Sequence, residues 1–273
     1  MTGKSKLKFI LSRGMLFIGI LFVLCGFLSI SADADNVSAY DVSSKYLKDP
    51  ENVLAMMRKS AEFWKGSYDK TNGGYFTRVS LDGTPESGSN YKSILSQSRI
   101  AYAFSRAYMV TGNREYLKYA RYALDYMQKY GWDKKNGGFY TCMDDKTGMP
   151  IDSRTDLLLQ NDKQQAKWSF MQHYALLGIA AMYDATRNDD DFAFLLKARN
   201  ILDTKLWDSR KGFEGYYEMA DDDWSHPLGK GFTPTVDGIT THGLSLYLLT
   251  GEQRYKDRLV QLADNIIQHI YPT

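Results

Sequence analysis

Apolar residues recur at helical spacing along most of this chain, and glycine-rich polar loops interrupt them at regular intervals. Pro50 opens the first apolar stretch, where Val53, Leu54, Met57, Ala61 and Trp64 share a face. Residues 93–110 predict a second helix, with Ile94, Ile100, Ala101, Ala103, Phe104 and Ala107 on one side. Thr111-Gly112-Asn113 ends it, and 114–130 predicts its antiparallel partner. The cycle then predicts helices over 163–184 and 191–206, and over 237–249 and 254–270. Connections such as Arg187-Asn188-Asp189 and Gly251-Glu252 are short enough to make antiparallel pairs. Between the pairs, 75–79 and 139–143 predict short strands turned by Asp82-Gly83 and around Lys146-Thr147-Gly148. Residues 35–50 form a polar lead-in.

Two phrases keep time with this cycle. Asp69-Lys70-Thr71-Asn72-Gly73-Gly74-Tyr75-Phe76 returns 64 residues later as Asp133-Lys134-Lys135-Asn136-Gly137-Gly138-Phe139-Tyr140. A looser copy, Trp207-Asp208-Ser209-Arg210-Lys211-Gly212-Phe213-Glu214-Gly215-Tyr216-Tyr217, follows the second by 75. Thr111-Gly112-Asn113, Thr186-Arg187-Asn188 and Thr250-Gly251-Glu252 keep steps of 75 and 64. Recurrence of this kind means that one supersecondary unit, here a helical hairpin, is stacked several times. Helical hairpins joined by β-ribbon loops at one end predict an all-α fold of the (α/α) toroid type, with about seven helices in a single domain over 35–273. Inner helices of such a barrel face a cleft, and the long loops fence its mouth.

Composition adjusts this picture at the N-terminus. Lys4, Lys6, Lys8 and Arg13 precede an uncharged apolar run over 14–30, and Ala32-Asp33-Ala34 offers a small-x-small cleavage site. Residues 1–34 therefore read as a secretory signal peptide, or as an uncleaved membrane anchor, and place the protein in a secreted or periplasmic location. The formal charge of +2 belongs to that leader, since the remainder carries 30 bases against 31 acids, and no nucleic-acid-binding surface follows from it. Without Cys25, Cys142 stands alone, so no intrachain disulfide is expected. The acidic runs at 144–145, 189–191 and 221–223 read as turns and caps, with calcium as the alternative. Twenty tyrosines and five tryptophans suit a sugar cavity, although helix packing accounts for most of them.

The repeated phrases resemble the N-acylglucosamine 2-epimerase family, which includes cellobiose 2-epimerases and aldose–ketose isomerases. The likeness runs from about Phe63 to the C-terminus. It is carried by Phe63-Trp64 with Asp69…Gly73-Gly74-Tyr75-Phe76, by Gln97-Ser98-Arg99-Ile100-Ala101-Tyr102 with Thr111-Gly112-Asn113, and by Gly137-Gly138-Phe139-Tyr140 with Asp144…Gly148…Pro150. The resemblance implies a reducing sugar as partner and proton transfer at the carbon next to its carbonyl, without a metal or redox cofactor. Arg99 matches the arginine of the family's Gln-x-Arg helix, which reaches the carbonyl end of the sugar; an always-charged fork suits an enediolate oxygen. His173 and His242 are the candidate bases. His242 lies four residues after Gly238, where a family histidine is expected. Arg99, Tyr102, Trp168, Gln172 and Asp237 are the candidates for holding the sugar.

The family barrel has twelve helices, and its Gly-His-x-x-Glu-x-x-Trp segment and a later histidine fall beyond the position of Thr273. The expectation is accordingly a shortened barrel, as a truncated reading frame, a half-barrel that dimerises or a non-catalytic relative, whose open flank is covered by a second copy, by a partner or not at all, and whose inherited activity is in question. Two further readings stay open. One is a glycoside hydrolase or lyase on the same toroid, drawing on Asp144, Asp145, Asp162, Glu214, Glu218 and Asp237, since hydrolysis needs two carboxylates across the cleft. The other is a carbohydrate-binding protein without catalysis.

Overall fold

The computed structural model describes residues 44–86, 88–151 and 166–270. The leader expected at 1–34 and the candidate Asp162 therefore lie outside the described residues. By its contacts the chain divides between Val53 and Leu54 into two units. In the first, α1 (Lys45–Lys48) occupies part of the predicted lead-in, and Asn52 Nδ2 donates to the Lys45 carbonyl at 3.3 Å. Helix α2 (Pro50–Gly66) opens on the proline as predicted, because the missing N–H of a first-turn proline removes no helical bond.

The second unit is a series of helical hairpins. Inner helix α3 (Ile94–Thr111) pairs with outer helix α4 (Glu115–Tyr126), and α5 (Ser169–Thr186) with α6 (Asp189–Lys205). The third pair is α7 (Phe232–Asp237) with α8 (Leu244–Thr250), joined by a π-helical segment over Gly238–Gly243, against outer helix α9 (Gln253–Asn265). The predicted single helix over 237–249 is thus two α-helical pieces interrupted by a wider turn. Shorter π segments close α4 (Met127–Gly131) and α9 (Ile266–Ile270).

The Thr-Gly-Asn phrase makes the tight end of each hairpin. Thr111, Thr186 and Thr250 each donate a hydroxyl to the carbonyl four residues back, at 2.6, 2.8 and 2.7 Å. Each hydroxyl then accepts the N–H two residues on, at 3.2, 3.3 and 3.2 Å. Gly112, Arg187 and Gly251 follow in left-handed conformation (φ +72°, +55° and +68°), which lets their N–H groups close the last helical turn.

The Asp…Gly-Gly phrase makes the opposite end, and it is a clamp. Asp69 Oδ1 accepts the N–H groups of Thr71 and Asn72, and Oδ2 pairs with Lys92 Nζ at 2.6 Å. Gln97 Nε2 donates to the Tyr75 carbonyl at 2.7 Å while its Oε1 accepts the Tyr75 N–H at 2.8 Å. The second copy repeats each contact: Asp133 caps Lys135 and Asn136 and pairs with Lys167 at 2.8 Å, and Gln172 brackets Phe139 through both its N–H and its carbonyl. The phrase needs glycine at its sixth position because a Cβ on Gly74 or Gly138 would lie 3.1 or 2.9 Å from the clamping amide oxygen, and nearer still to Tyr126 or Trp224. In the third copy Asp208 pairs with Lys230 at 2.5 Å, and Thr235 stands where the glutamine stood.

The predicted strand over 75–79 is reduced to isolated bridges, Tyr68 to Tyr75 and Val79 to Pro85, because the clamp holds this backbone by side chains instead of a ladder. Real strands stand just before the inner helices. β1 (Tyr91–Ser93) pairs antiparallel with β2 (Cys142–Asp144), which pairs with β3 (Pro150–Ile151). β4 (Lys167–Trp168) pairs with β7 (Met219–Ala220), and β5 (Trp207–Asp208) with β6 (Gly215–Tyr216). The 163–184 helix predicted from sequence begins at Ser169 because β4 occupies its first described residues.

Helices α3 and α5 lie side by side at very short range. Gly178 N donates to Ser98 Oγ at 2.8 Å, and a Cβ on Gly178 would fall 2.5 Å from the Ser98 carbonyl. Behind the inner helices the core packs Tyr75, Phe104, Leu124, Phe139, Leu176, Ile179, Leu195 and Leu202, all buried. The loop ends of three inner helices are thereby held in one fixed array.

Candidate active site

The clamp gives the array its register. Counting two residues on from Gln97, Gln172 and Thr235 gives Arg99, Tyr174 and Asp237, one from each inner helix near its loop end. They are neighbours in space. The Arg99 guanidinium lies 4.6 Å from the centre of the Tyr174 ring, a cation–π contact. Asp237 is only 6% exposed, and its Oδ2 has no hydrogen-bond partner. Burial pushes its carboxyl up to about 6, with the charge of Arg99 pulling the other way.

The other predicted residues stand on the same elements. Tyr102, a turn further along α3, is exposed, and Arg106 lies 5.3 Å from its ring centre while bonding to Asp184 at 2.5 Å. Trp168 precedes α5, its Nε1 buried without a partner, as is Ser169 Oγ beside it. A cavity of about 410 Å³ opens beside Arg99, with Met57, Trp64, Phe76, Ile100 and Phe104 among its walls. Gln172 is placed differently from the expectation. Both ends of its amide are occupied by Phe139, so it fixes the loop and offers nothing to a sugar.

The two histidines also depart from expectation. His173 and His242 are both 0% exposed, with Nδ1 of His173 2.9 Å from Nε2 of His242 and the rings stacked at 5.2 Å. Arg199 Nη1 lies 3.3 Å from His242 Nδ1. A guanidinium only donates, so His242 Nδ1 accepts and its proton sits on Nε2, pointing at His173 Nδ1. The His173 proton is then on Nε2, the nitrogen that has no partner. Neither ring keeps a free lone pair with which to take a proton. Burial, reinforced by the Arg199 charge, drives His173 down to about 3 and His242 well below its usual value. The pair is a neutral pin between α5 and the π segment. The one-turn step from Gly238 to His242 assumes 3.6 residues per turn, whereas this segment is π-helical and wider. Gly238 itself is pressed against His173, since a Cβ there would be 3.4 Å from its Cε1 and 3.0 Å from Tyr216.

The carboxylates considered for hydrolysis are mostly engaged in turns. Asp144 Oδ1 accepts from Lys146, Thr147 N and Thr147 Oγ1, and Glu214 accepts the Gly212 N–H. Asp145 Oδ1 is buried without a partner. Glu218 lies against Gly229 and Gly231 at the start of α7. Tyr174 was missed by sequence reading, although its step of 75 from Arg99 repeats the Gln97-to-Gln172 step and could have pointed to it. The arrangement provides a fixed cation, an aromatic face and a carboxyl that titrates near neutrality. Those are the parts needed to bind a polar ring, hold an oxyanion and move a proton.

Hairpins with their long loops at one end define the (α/α) toroid class. The family model for N-acylglucosamine 2-epimerase (GlcNAc 2-epimerase) matches residues 74–273, and the chain belongs to that family. A cellobiose 2-epimerase of Dictyoglomus turgidum is 30% identical over 167 residues, covering 61% of this chain and 38% of that protein. One of Eubacterium cellulosolvens is 26% identical over 163 residues, covering 60% and 36%. The chain thus spans less than two fifths of those curated relatives. Among solved structures, the cellobiose 2-epimerase of Spirochaeta thermophila superposes with a TM-score of 0.70 at 20% identity, over 84% of this chain and 57% of that one. A D-mannose isomerase gives 0.69 at 19%, over 83% and 53%. A GH76 α-mannanase of Bacteroides thetaiotaomicron gives 0.59 at 18%, over 79% and 55%. At these identities the likeness is one of fold.

Proposed function

We propose that this chain binds the reducing end of a sugar between Arg99, Tyr174 and Asp237 and exchanges the proton on the carbon next to its carbonyl. The observation that carries the reading is that Arg99, Tyr174 and Asp237 each stand sixth in their inner helix, with Arg99 against the Tyr174 ring and its charge acting on Asp237. In the open-chain sugar, Asp237 as carboxylate takes the C2 proton, and the electron pair moves into the carbonyl to give an enediolate. The Arg99 guanidinium faces the developing oxyanion, and the Tyr174 ring offers a face on which the sugar can lie. Return of the proton to the opposite face of C2 gives the epimer; its return to C1, with the O2 hydroxyl proton passing to O1, gives the ketose. Asp237 replaces the histidines in the proton-transfer role because their lone pairs are engaged. Cellobiose is the first substrate to try, since the curated relatives are cellobiose 2-epimerases.

The test is deuterium uptake at C2, followed by proton NMR on the full chain in D₂O with cellobiose, glucose, mannose and N-acetylglucosamine. Uptake that vanishes in Arg99→Ala and Asp237→Asn but survives in His242→Asn supports the reading. Uptake that persists without Asp237, or none from a folded protein, removes it. The leader at 1–34 fits action outside the cytoplasm; fractionation of expressing cells, with N-terminal sequencing of the exported protein, checks that separately.

A further inference from the structure

We propose that the groove between the outer helices α6 and α9 binds a phosphate-class oxyanion. Its lining residues all belong to the outer helices and none to the Arg99 group, so the site stands whether or not the sugar reading holds.

The groove has a volume of about 550 Å³, and four of its lining side chains are cations: Lys197, Arg199, Arg254 and Arg258. They arise from simple helix geometry. Arg199 and Asp203 stand one turn apart on α6, with Lys197 at the groove's edge, and Arg254 and Arg258 stand one turn apart on α9. One carboxylate lines the groove with them, Asp203, and it is already heavily used. It accepts from Arg199 Nε at 3.2 Å, from Arg258 Nη1 at 2.9 Å and from the Tyr216 hydroxyl at 2.7 Å. Arg254 pairs with Glu252 at 2.7 Å, outside the lining. Lys197 has no carboxylate within ion-pair distance among the described residues, and its ammonium rests 5.0 Å from the Trp132 ring centre. Four positive charges therefore face two negative ones.

Like charges collected in a groove repel unless an anion joins them, and the protein has stiffened these rather than letting them swing away. Arg258 lies flat on Trp207 at 3.6 Å, and Arg199, 6% exposed, lies 4.9 Å from the Tyr255 ring centre. Arg199 engages Asp203 through Nε and His242 through Nη1, which leaves the donors of Nη2 without a partner. Tyr255 is 3% exposed, and its hydroxyl is buried without a hydrogen bond of normal geometry. A rigid pair of guanidinium forks, an ammonium and a hydroxyl donor match a small tetrahedral dianion. The confinement of the charge to one groove between two helices argues against an extended polyanion, which needs a stripe.

The test is calorimetric titration of the full chain with inorganic phosphate, at constant ionic strength made up with chloride. Saturable one-site binding is expected. Lys197→Gln with Arg254→Gln, both at exposed positions, should weaken it at least tenfold with an unchanged melting temperature. A parallel titration with glucose 6-phosphate tells the two sources apart, since tighter binding assigns the groove to a phosphorylated sugar and equal or weaker binding to free phosphate. No saturation by either probe, or binding untouched by the double substitution, overturns the proposal.

Discussion

The imidazole of His173 meets that of His242 at 2.9 Å in a stacked pair sealed from solvent, and each ring's acceptor nitrogen is already filled. A histidine whose folded pKa is depressed stabilises the fold fully above its unfolded value of about 6.5, and the contribution is lost as pH falls below it. Each ring costs about 1.4 kcal/mol per pH unit in that range, partly offset by Asp237, which gains a proton in the folded state near pH 6. Urea unfolding should show stability on the order of 2 kcal/mol lower at pH 5 than at pH 7.5. His173→Asn with His242→Asn should flatten that slope. A wild-type slope of zero would mean that the rings are hydrated.

Asp237 has the opposite sign. Its folded pKa is raised, so ionising it costs stability as pH climbs from about 4 to about 6, and the cost persists above. Asp237→Asn should stabilise the protein at pH 8 by about 1–2 kcal/mol, after allowance for screening at the mouth. The same substitution should lower C2 proton exchange by two or more orders of magnitude. In the unaltered protein, exchange should rise with pH through an inflection near 6. Stability and activity moving together in this variant would count against a catalytic carboxylate.

The Lys167–Asp133 pair is almost wholly buried, with side chains 1% and 0% exposed. Lys167→Met strands the Asp133 charge and should cost about 3–5 kcal/mol by chemical denaturation. Adding Asp133→Asn should recover part of that loss. Lys230 in the third copy is 30% exposed, and its removal should cost less.

Gly178→Ala would drive a methyl group into the Ser98 carbonyl at 2.5 Å, a backbone atom that cannot swing aside. Separation of α3 from α5 should destabilise by about 1–3 kcal/mol. It should also part Arg99 from Tyr174, so cellobiose affinity should drop along with the melting temperature. A loss of stability with full affinity would uncouple the two helices from the site.

The hairpin cycle was legible because its punctuation is chemical. Threonine hydroxyls, left-handed glycines and Asp–Lys clamps recur at steps that a bare sequence displays, and Arg99 could be found through its own phrase. The histidines were not legible, for a physical reason. Helix α5 buries residues nearly all round, His173 among them, so periodicity could not tell the face toward the mouth from the face toward α6. The π segment at Gly238–Gly243 was equally hidden, since one extra residue per turn leaves no mark in composition. Tyr174 was not legible because one tyrosine among twenty on a helix buried nearly all round carries no mark of its own. The Asp203 cluster escaped because its members are divided between helices about fifty residues apart.

The threonine-capped turns at Asn113, Asn188 and Glu252 close each hairpin at the end remote from Arg99, Tyr174 and Asp237. A fluorophore, an affinity handle or an inserted peptide placed there would ride on the molecule without blocking the approach of a sugar. Paired dyes at Asn113 and Glu252 would then convert the spacing of the hairpins into an optical signal, and the stacking of the units could be watched one at a time.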